Sequence, residues 1–68
     1  MINTKLLKSY FVKNGFTQEE IAKKIGISSQ SLSDKINNKV QFKVDEVSSL
    51  CEILEITHDK DNIFFFKN

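Results

Sequence analysis

Sixty-eight residues, 40% of them hydrophobic, make one domain near the lower size limit for a chain that folds on its own core. A lone Cys51 excludes a disulfide framework and fits a reducing cytoplasm; no apolar run is long enough for a membrane span, and residues 1–8 lack a secretion signal. The net charge of +1 is unevenly spread: residues 1–43 hold eight lysines against three carboxylates, and residues 44–68 hold two lysines against six, so one pole attracts phosphate and the other repels it.

With no Pro and two Gly, the chain reads as short helices joined by tight connections. A first helix is expected over Thr4–Asn14, with Leu6/Leu7 and Tyr10/Phe11 at three-to-four spacing, Asn3 as its cap and Gly15 as its left-handed stop. Thr17-Gln18-Glu19-Glu20 has the form of a capping box, and Phe16 with Ile21 forms the accompanying hydrophobic staple. The second helix is therefore short. It ends by Gly26 and turns Ile21, Ala22 and Ile25 inward. Ser28 caps a third helix running to about Asn37. Leu32 and Ile36 form its apolar side, while Ser29, Gln30, Ser33, Asp34 and Asn37 share a face rich in hydrogen-bonding groups. Asn38 serves as a left-handed stop. A fourth helix is expected over Val44–Glu55, with Val47, Leu50, Cys51 and Leu54 inward and Asp45 and Glu46 at its positive end. Thr57 is expected to cap a last turn through Asn62, leaving Ile63-Phe64-Phe65-Phe66 as an apolar tail without a clear period.

Two short helices joined by a turn at Gly26 have the form of a helix-turn-helix. Small Ala22 permits close approach, Gly26 permits the turn, and Ile21, Ile25, Ile27 and Leu32 fix the interhelical angle. On the stretch FTQEEIAKKIGISSQSLSDKINNK, Phe16 to Lys39, the chain resembles the lambda repressor and Cro group, the XRE family of regulators. The likeness extends more loosely over residues 4–56. It implies an all-α, lambda-repressor-like bundle of four to five helices forming a single domain over 1–68, with the helix-turn-helix at about 17–37 and the third helix in the major groove.

The resemblance further implies a cytoplasmic, sequence-specific regulator of transcription that reads an operator in double-stranded DNA as a weak homodimer. A phage or mobile-element repressor suits so small a chain. In the family's scheme Ser29, Gln30, Ser33 and Asp34 would read bases, while Gln18, Ser28, Asn37, Lys39 and Lys43 would touch phosphates. Asp34 is equally suited to accepting from a cytosine amino group and to repelling wrong sequences. Lys35 departs from the family pattern, which has an apolar residue there, and Phe11 and Ile36 fill slots where many relatives have an Arg–Glu pair. Lys43 stands where a Ser or Thr cap is common.

His58, Asp59 and Asp61 lack the glycine and distal Glu of a calcium loop, and Cys51 reads as a small core residue. No metal, cofactor, small-molecule ligand, membrane contact or catalytic group is expected. Three consecutive rings cannot all turn inward, so Ile63, Phe64, Phe65 and Phe66 are the expected dimer contact, the alternative being that they cap the core of one subunit. A protein-binding module, such as an antitoxin-type partner of another regulator, is the alternative function.

Overall fold

The computed structural model describes residues 1–64 and contains five helices: α1 (Thr4–Asn14), α2 (Gln18–Ile25), α3 (Ser29–Ile36), α4 (Val44–Ile53) and α5 (Lys60–Phe64). The expected all-α bundle is what forms. The first helix has the expected bounds, opened by the Asn3 side chain accepting from the Leu6 N–H at 3.1 Å. The capping box of α2 is closed in both directions: Thr17 Oγ1 accepts from the Glu20 N–H at 3.2 Å, and Glu20 Oε1 accepts from the Thr17 N–H at 2.9 Å. Ser28 Oγ caps α3 by accepting from the Ser31 N–H at 3.1 Å.

One device ends all four longer helices. A residue in the left-handed region (Gly15, Gly26, Asn38 or Glu55) reverses the chain, and the next residue donates its N–H five residues back. Those bonds are Phe16 to Phe11, Ile27 to Ala22, Lys39 to Asp34 and Ile56 to Cys51, at 2.8–3.0 Å. This is the Schellman arrangement, and it normally turns an apolar residue back onto the helix it closes. Phe16, Ile27 and Ile56 behave so, half-buried or buried against the core. Lys39 does the opposite and stays exposed, which leaves its ammonium free beside the end of α3.

Glu55 shortens α4 relative to its expected extent. Its positive φ of 54° stops the helix and folds Ile56 inward to 6% exposure. The last helix is also displaced from its expected place at 58–62. Asp59 stands before it, its carbonyl accepting from the Ile63 N–H and its carboxylate from Asn62 Nδ2. Tyr10 Oη donates to Asp59 Oδ2 at 2.6 Å and ties α5 to α1, and Asn3 donates its N–H to the Ile63 carbonyl at 2.7 Å.

The core is drawn from every helix: Leu7, Phe11, Ile21, Ala22, Leu32, Ile36, Leu50, Leu54, Ile56, Ile63 and Phe64. Full burial of a large apolar side chain contributes roughly 1.5–3 kcal/mol, so these residues make the main apolar contribution to the fold. Two of them correct the sequence reading. Ile63 is wholly buried and Phe64 is 8% exposed, its ring edge-to-face with Phe42 at 5.7 Å. They belong to α5 and the core and so are not surplus surface for a partner. Phe65 and Phe66, expected to share that role, lie outside the described residues.

Candidate nucleic-acid interface

Helices α2 and α3 are joined by Gly26, Ile27 and Ser28. Ile21 and Ala22 from α2 and Leu32 and Ile36 from α3 are all buried, so the pair is locked onto the core and onto itself. What α3 turns outward follows from its period. Ser29 and Gln30 are exposed, Ser33 and Asp34 half-buried, and Asn37 exposed at its C-terminal cap. No large apolar side chain of the described residues lies on that side; among them the exposed ones are Met1, Val12, Val40 and Val44.

The face is internally organised. Gln30 Nε2 donates to Asp34 Oδ1 at 3.0 Å, one helical turn on, and Asn37 Nδ2 lies 3.4 Å from Ser33 Oγ. Both are i, i+4 pairs, the spacing at which side chains on a helix meet. Sequence reasoning placed these residues together but did not foresee that they pair with one another.

The expected phosphate contacts stand at or near helix ends: Ser28 and Asn37 cap α3, Lys39 follows it and Lys43 precedes α4. Gln18 opens α2 and is half-buried; Ser28, Lys39 and Lys43 are exposed, although the Ser28 oxygen already serves the α3 cap. A hollow of about 360 Å³ between the two helix starts is lined by Thr17, Glu19, Glu20, Lys23, Ser28 and Ser29 among others. Its two carboxylates against one ammonium do not gather anions. Glu20, held below the usual carboxylate range by the Thr17 backbone and hydroxyl hydrogen bonds, stays charged there. The floor of the hollow is therefore unsuited to an anion. Lys24, one turn on from Glu20, lies 5.2 Å from the centre of the Phe16 ring.

The C-terminal end of α3 is fastened by the start of the chain. Thr4 Oγ1 donates to the Ile36 carbonyl at 2.6 Å, the Ile2 N–H donates to Asn38 Oδ1 at 2.6 Å, and Asn38 Nδ2 returns a bond to the Ile2 carbonyl at 3.2 Å.

The inner side of α3 holds the largest surprise. Lys35 is not a surface lysine. It is 6% exposed, with Nζ 2.6 and 2.7 Å from the two carboxylate oxygens of Glu46, itself 7% exposed. Burial pushes the Glu46 carboxyl up, but the Lys35 hydrogen bonds and the Lys43 N–H, donating at 2.8 Å, outweigh it and hold it below the usual range. One of the eight lysines of the basic pole is thereby withdrawn from any external anion. The Phe11 and Ile36 slots are both buried and apolar, as expected from their residue types.

A larger concavity lies elsewhere. It is a groove of about 600 Å³ beside Met1, Val40, Phe42, Val44 and Phe64, with Lys35 and Lys60 on its wall. Cys51 is half-buried on α4, and burial pushes its thiol up, away from the reactive thiolate. No group of three or more metal-binding side chains assembles among the described residues, and no helix among them is long and apolar enough to cross a membrane.

Fold and site together define a small all-α domain that presents a polar helix on a rigid two-helix support. The chain belongs to the family described as protein of unknown function (DUF739), whose family model matches residues 3–68. None of the curated proteins matches it.

Proposed function

We propose that this chain is a cytoplasmic, sequence-specific DNA-binding regulator of transcription, with α2 and α3 acting as a helix-turn-helix and α3 entering the major groove. One observation carries the reading: α3 and its cap turn Ser29, Gln30, Ser33, Asp34 and Asn37, exposed or half-buried, to one side while the other side is buried at Leu32, Lys35 and Ile36. A rigid helix that offers donors and acceptors with no apolar side chain is suited to base edges and unsuited to a dry protein contact. The lysine excess of residues 1–43 supports the same reading, with Lys39 and Lys43 exposed. As no Arg is present, bidentate guanidinium–guanine contact is not open to this chain, and Gln30 is the principal reader. A two-fold homodimer on half-sites about one helical turn apart, ~34–36 Å, completes the proposal.

Selection from a random duplex pool tests it. A defined site is expected, with affinity falling steeply as salt rises. Gln30→Ala is expected to cost about 1–3 kcal/mol on that site and to relax one base position. No enrichment from the pool at low salt would refute DNA binding. The second reading, a protein-binding module such as an antitoxin, draws on the groove flanked by exposed Met1, Val40 and Val44. It predicts a contact that salt barely affects.

A further inference from the structure

We propose that Asp34 is a positioning residue that sets the base preference of Gln30 by fixing which way the Gln30 carboxamide faces. The inference rests on the DNA-binding reading and adds to it a specificity device. A carboxylate only accepts hydrogen bonds, so the Gln30 group that meets Asp34 Oδ1 at 3.0 Å is its NH2 end, and the reversed amide would set two acceptors against each other. One of the two N–H bonds is thus engaged. The other N–H and the Oε1 acceptor remain for DNA.

One donor beside one acceptor matches adenine, which presents N7 as acceptor and N6–H2 as donor in the major groove. Guanine presents two acceptors, N7 and O6, and a carboxamide answers both only with two free donors. Asp34 removes one of those donors. It also presents a negative charge of its own to any acceptor that comes near. The carboxylate is well supported for this role: the Asp34 carbonyl accepts from the Lys39 N–H at 2.8 Å and the Val40 N–H at 3.3 Å, so the backbone beneath it is held by the end of the helix. A carboxylate facing phosphates lowers total affinity, and rejection of guanine is what it gives in exchange. Penalising the wrong partner in this way is a common route to specificity.

The test is selection from random duplexes, followed by titration of the four base variants at the position that Gln30→Ala relaxes. The proteins compared are the unaltered chain, Asp34→Ala, Asp34→Asn, Asp34→Glu, Gln30→Ala and the Gln30→Ala/Asp34→Ala pair. Asp34→Ala and Asp34→Asn are expected to lower the adenine-over-guanine ratio at that position roughly five- to tenfold. Total affinity should hold or rise. Asn fails because its own amide both donates and accepts, so either orientation of Gln30 finds a partner. Asp34→Glu keeps an acceptor-only group one turn away and is expected to retain the preference. In the Gln30→Ala background, Asp34→Ala should leave every base preference unchanged. Equal changes for all four bases would overturn the proposal and leave Asp34 as a simple charge. A shift at a different base pair would also overturn it, showing that Asp34 reads a base directly. An unaltered chain that selects no site overturns the DNA reading and this inference with it, an outcome distinct from the other two.

Discussion

Removing the Lys35 ammonium while keeping Glu46 exposes how α3 is held to the scaffold. Both side chains are buried and meet at 2.6–2.7 Å. Breaking such a pair from one side strands a charge and costs on the order of 3–5 kcal/mol. A domain of this size has a total stability of roughly 3–10 kcal/mol, so Lys35→Met brings the fold close to its limit. Chemical denaturation followed by circular dichroism across pH 4–8 is the assay, and the size of the pH dependence is the sharpest readout. In the unaltered protein the folded-state Glu46 carboxyl lies below its ordinary value. Its contribution is therefore present above the unfolded value, near pH 4.5, and is lost as pH falls through the lower folded value. In Lys35→Met the lysine's hydrogen bonds and charge are gone while burial remains. Burial is then opposed only by the Lys43 N–H bond and charge, so the Glu46 carboxyl rises from its folded value and the stability gained as pH rises through about 4.5 shrinks. The companion Lys35→Met/Glu46→Leu removes both charges. It should recover most of the loss, short of the roughly 0.5–2 kcal/mol that a helix-start hydrogen bond contributes, here the Lys43 N–H to Glu46. A single-variant cost under about 1 kcal/mol, with the pH dependence unchanged, would refute the claim that this pair is desolvated.

Three further outcomes are expected. Gln18→Ala and Lys39→Ala should weaken selected and random DNA by similar factors, and Lys39→Ala should also reduce the salt slope by roughly one unit; a change in base preference would make either residue a reader. Tyr10→Phe removes the bond to Asp59, which raises the Tyr10 hydroxyl and lowers the Asp59 carboxyl. The melting-temperature gap between the two proteins should be widest in the range between about pH 4 and pH 10. It should close as pH falls through the depressed Asp59 value or rises through the elevated Tyr10 value; a gap constant at all pH would assign the effect to packing. Gly26→Ala should cost roughly 1–2 kcal/mol, the left-handed penalty alone, because φ is 78° and no other atom lies within 4 Å of the added Cβ. A cost well above 3 kcal/mol would show that the turn between α2 and α3 is sterically closed.

Local chemistry made much of this fold legible in advance. The caps Asn3, Thr17 and Ser28 and the stops Gly15, Gly26 and Asn38 are residue types whose side chains or φ preferences announce helix ends. Glu55 announces nothing. A Glu rarely takes a positive φ, and here tertiary burial of Ile56 selects it, so the end of α4 could not be seen from sequence. The apolar run at 63–64 misled for a related reason. Three adjacent rings suggest a surplus, but in a domain this small α5 is needed to close the core beside Phe42. Lys35 was read as an anomaly because its partner is eleven residues away on another helix, and no periodicity links the two. The polar face of α3 was legible from the four-residue spacing of Leu32 and Ile36, whereas the Gln30–Asp34 bond depended on side-chain geometry.

These differences bear on how the two sides of α3 divide their work. A base pair is discriminated over distances of about 3 Å, so a reading helix is only as selective as its placement is precise. In this chain the placement is set from three directions. Ser28 and the turn at Gly26 fix the start of α3, Thr4 and the Ile2–Asn38 pair fix its end, and the Lys35–Glu46 pair fixes its rotation against α4. A leucine at position 35 would supply burial and shape but no hydrogen bond to α4. A two-pronged ion pair is directional. It gives this buried charge a positional use, and it makes separable what the two faces do. Substitutions at Gln30 or Asp34 should change which DNA is bound while the melting temperature holds. Substitutions at Lys35 or Glu46 should lower the melting temperature and, on the proposed function, loosen base discrimination along the whole of α3 in whatever fraction stays folded.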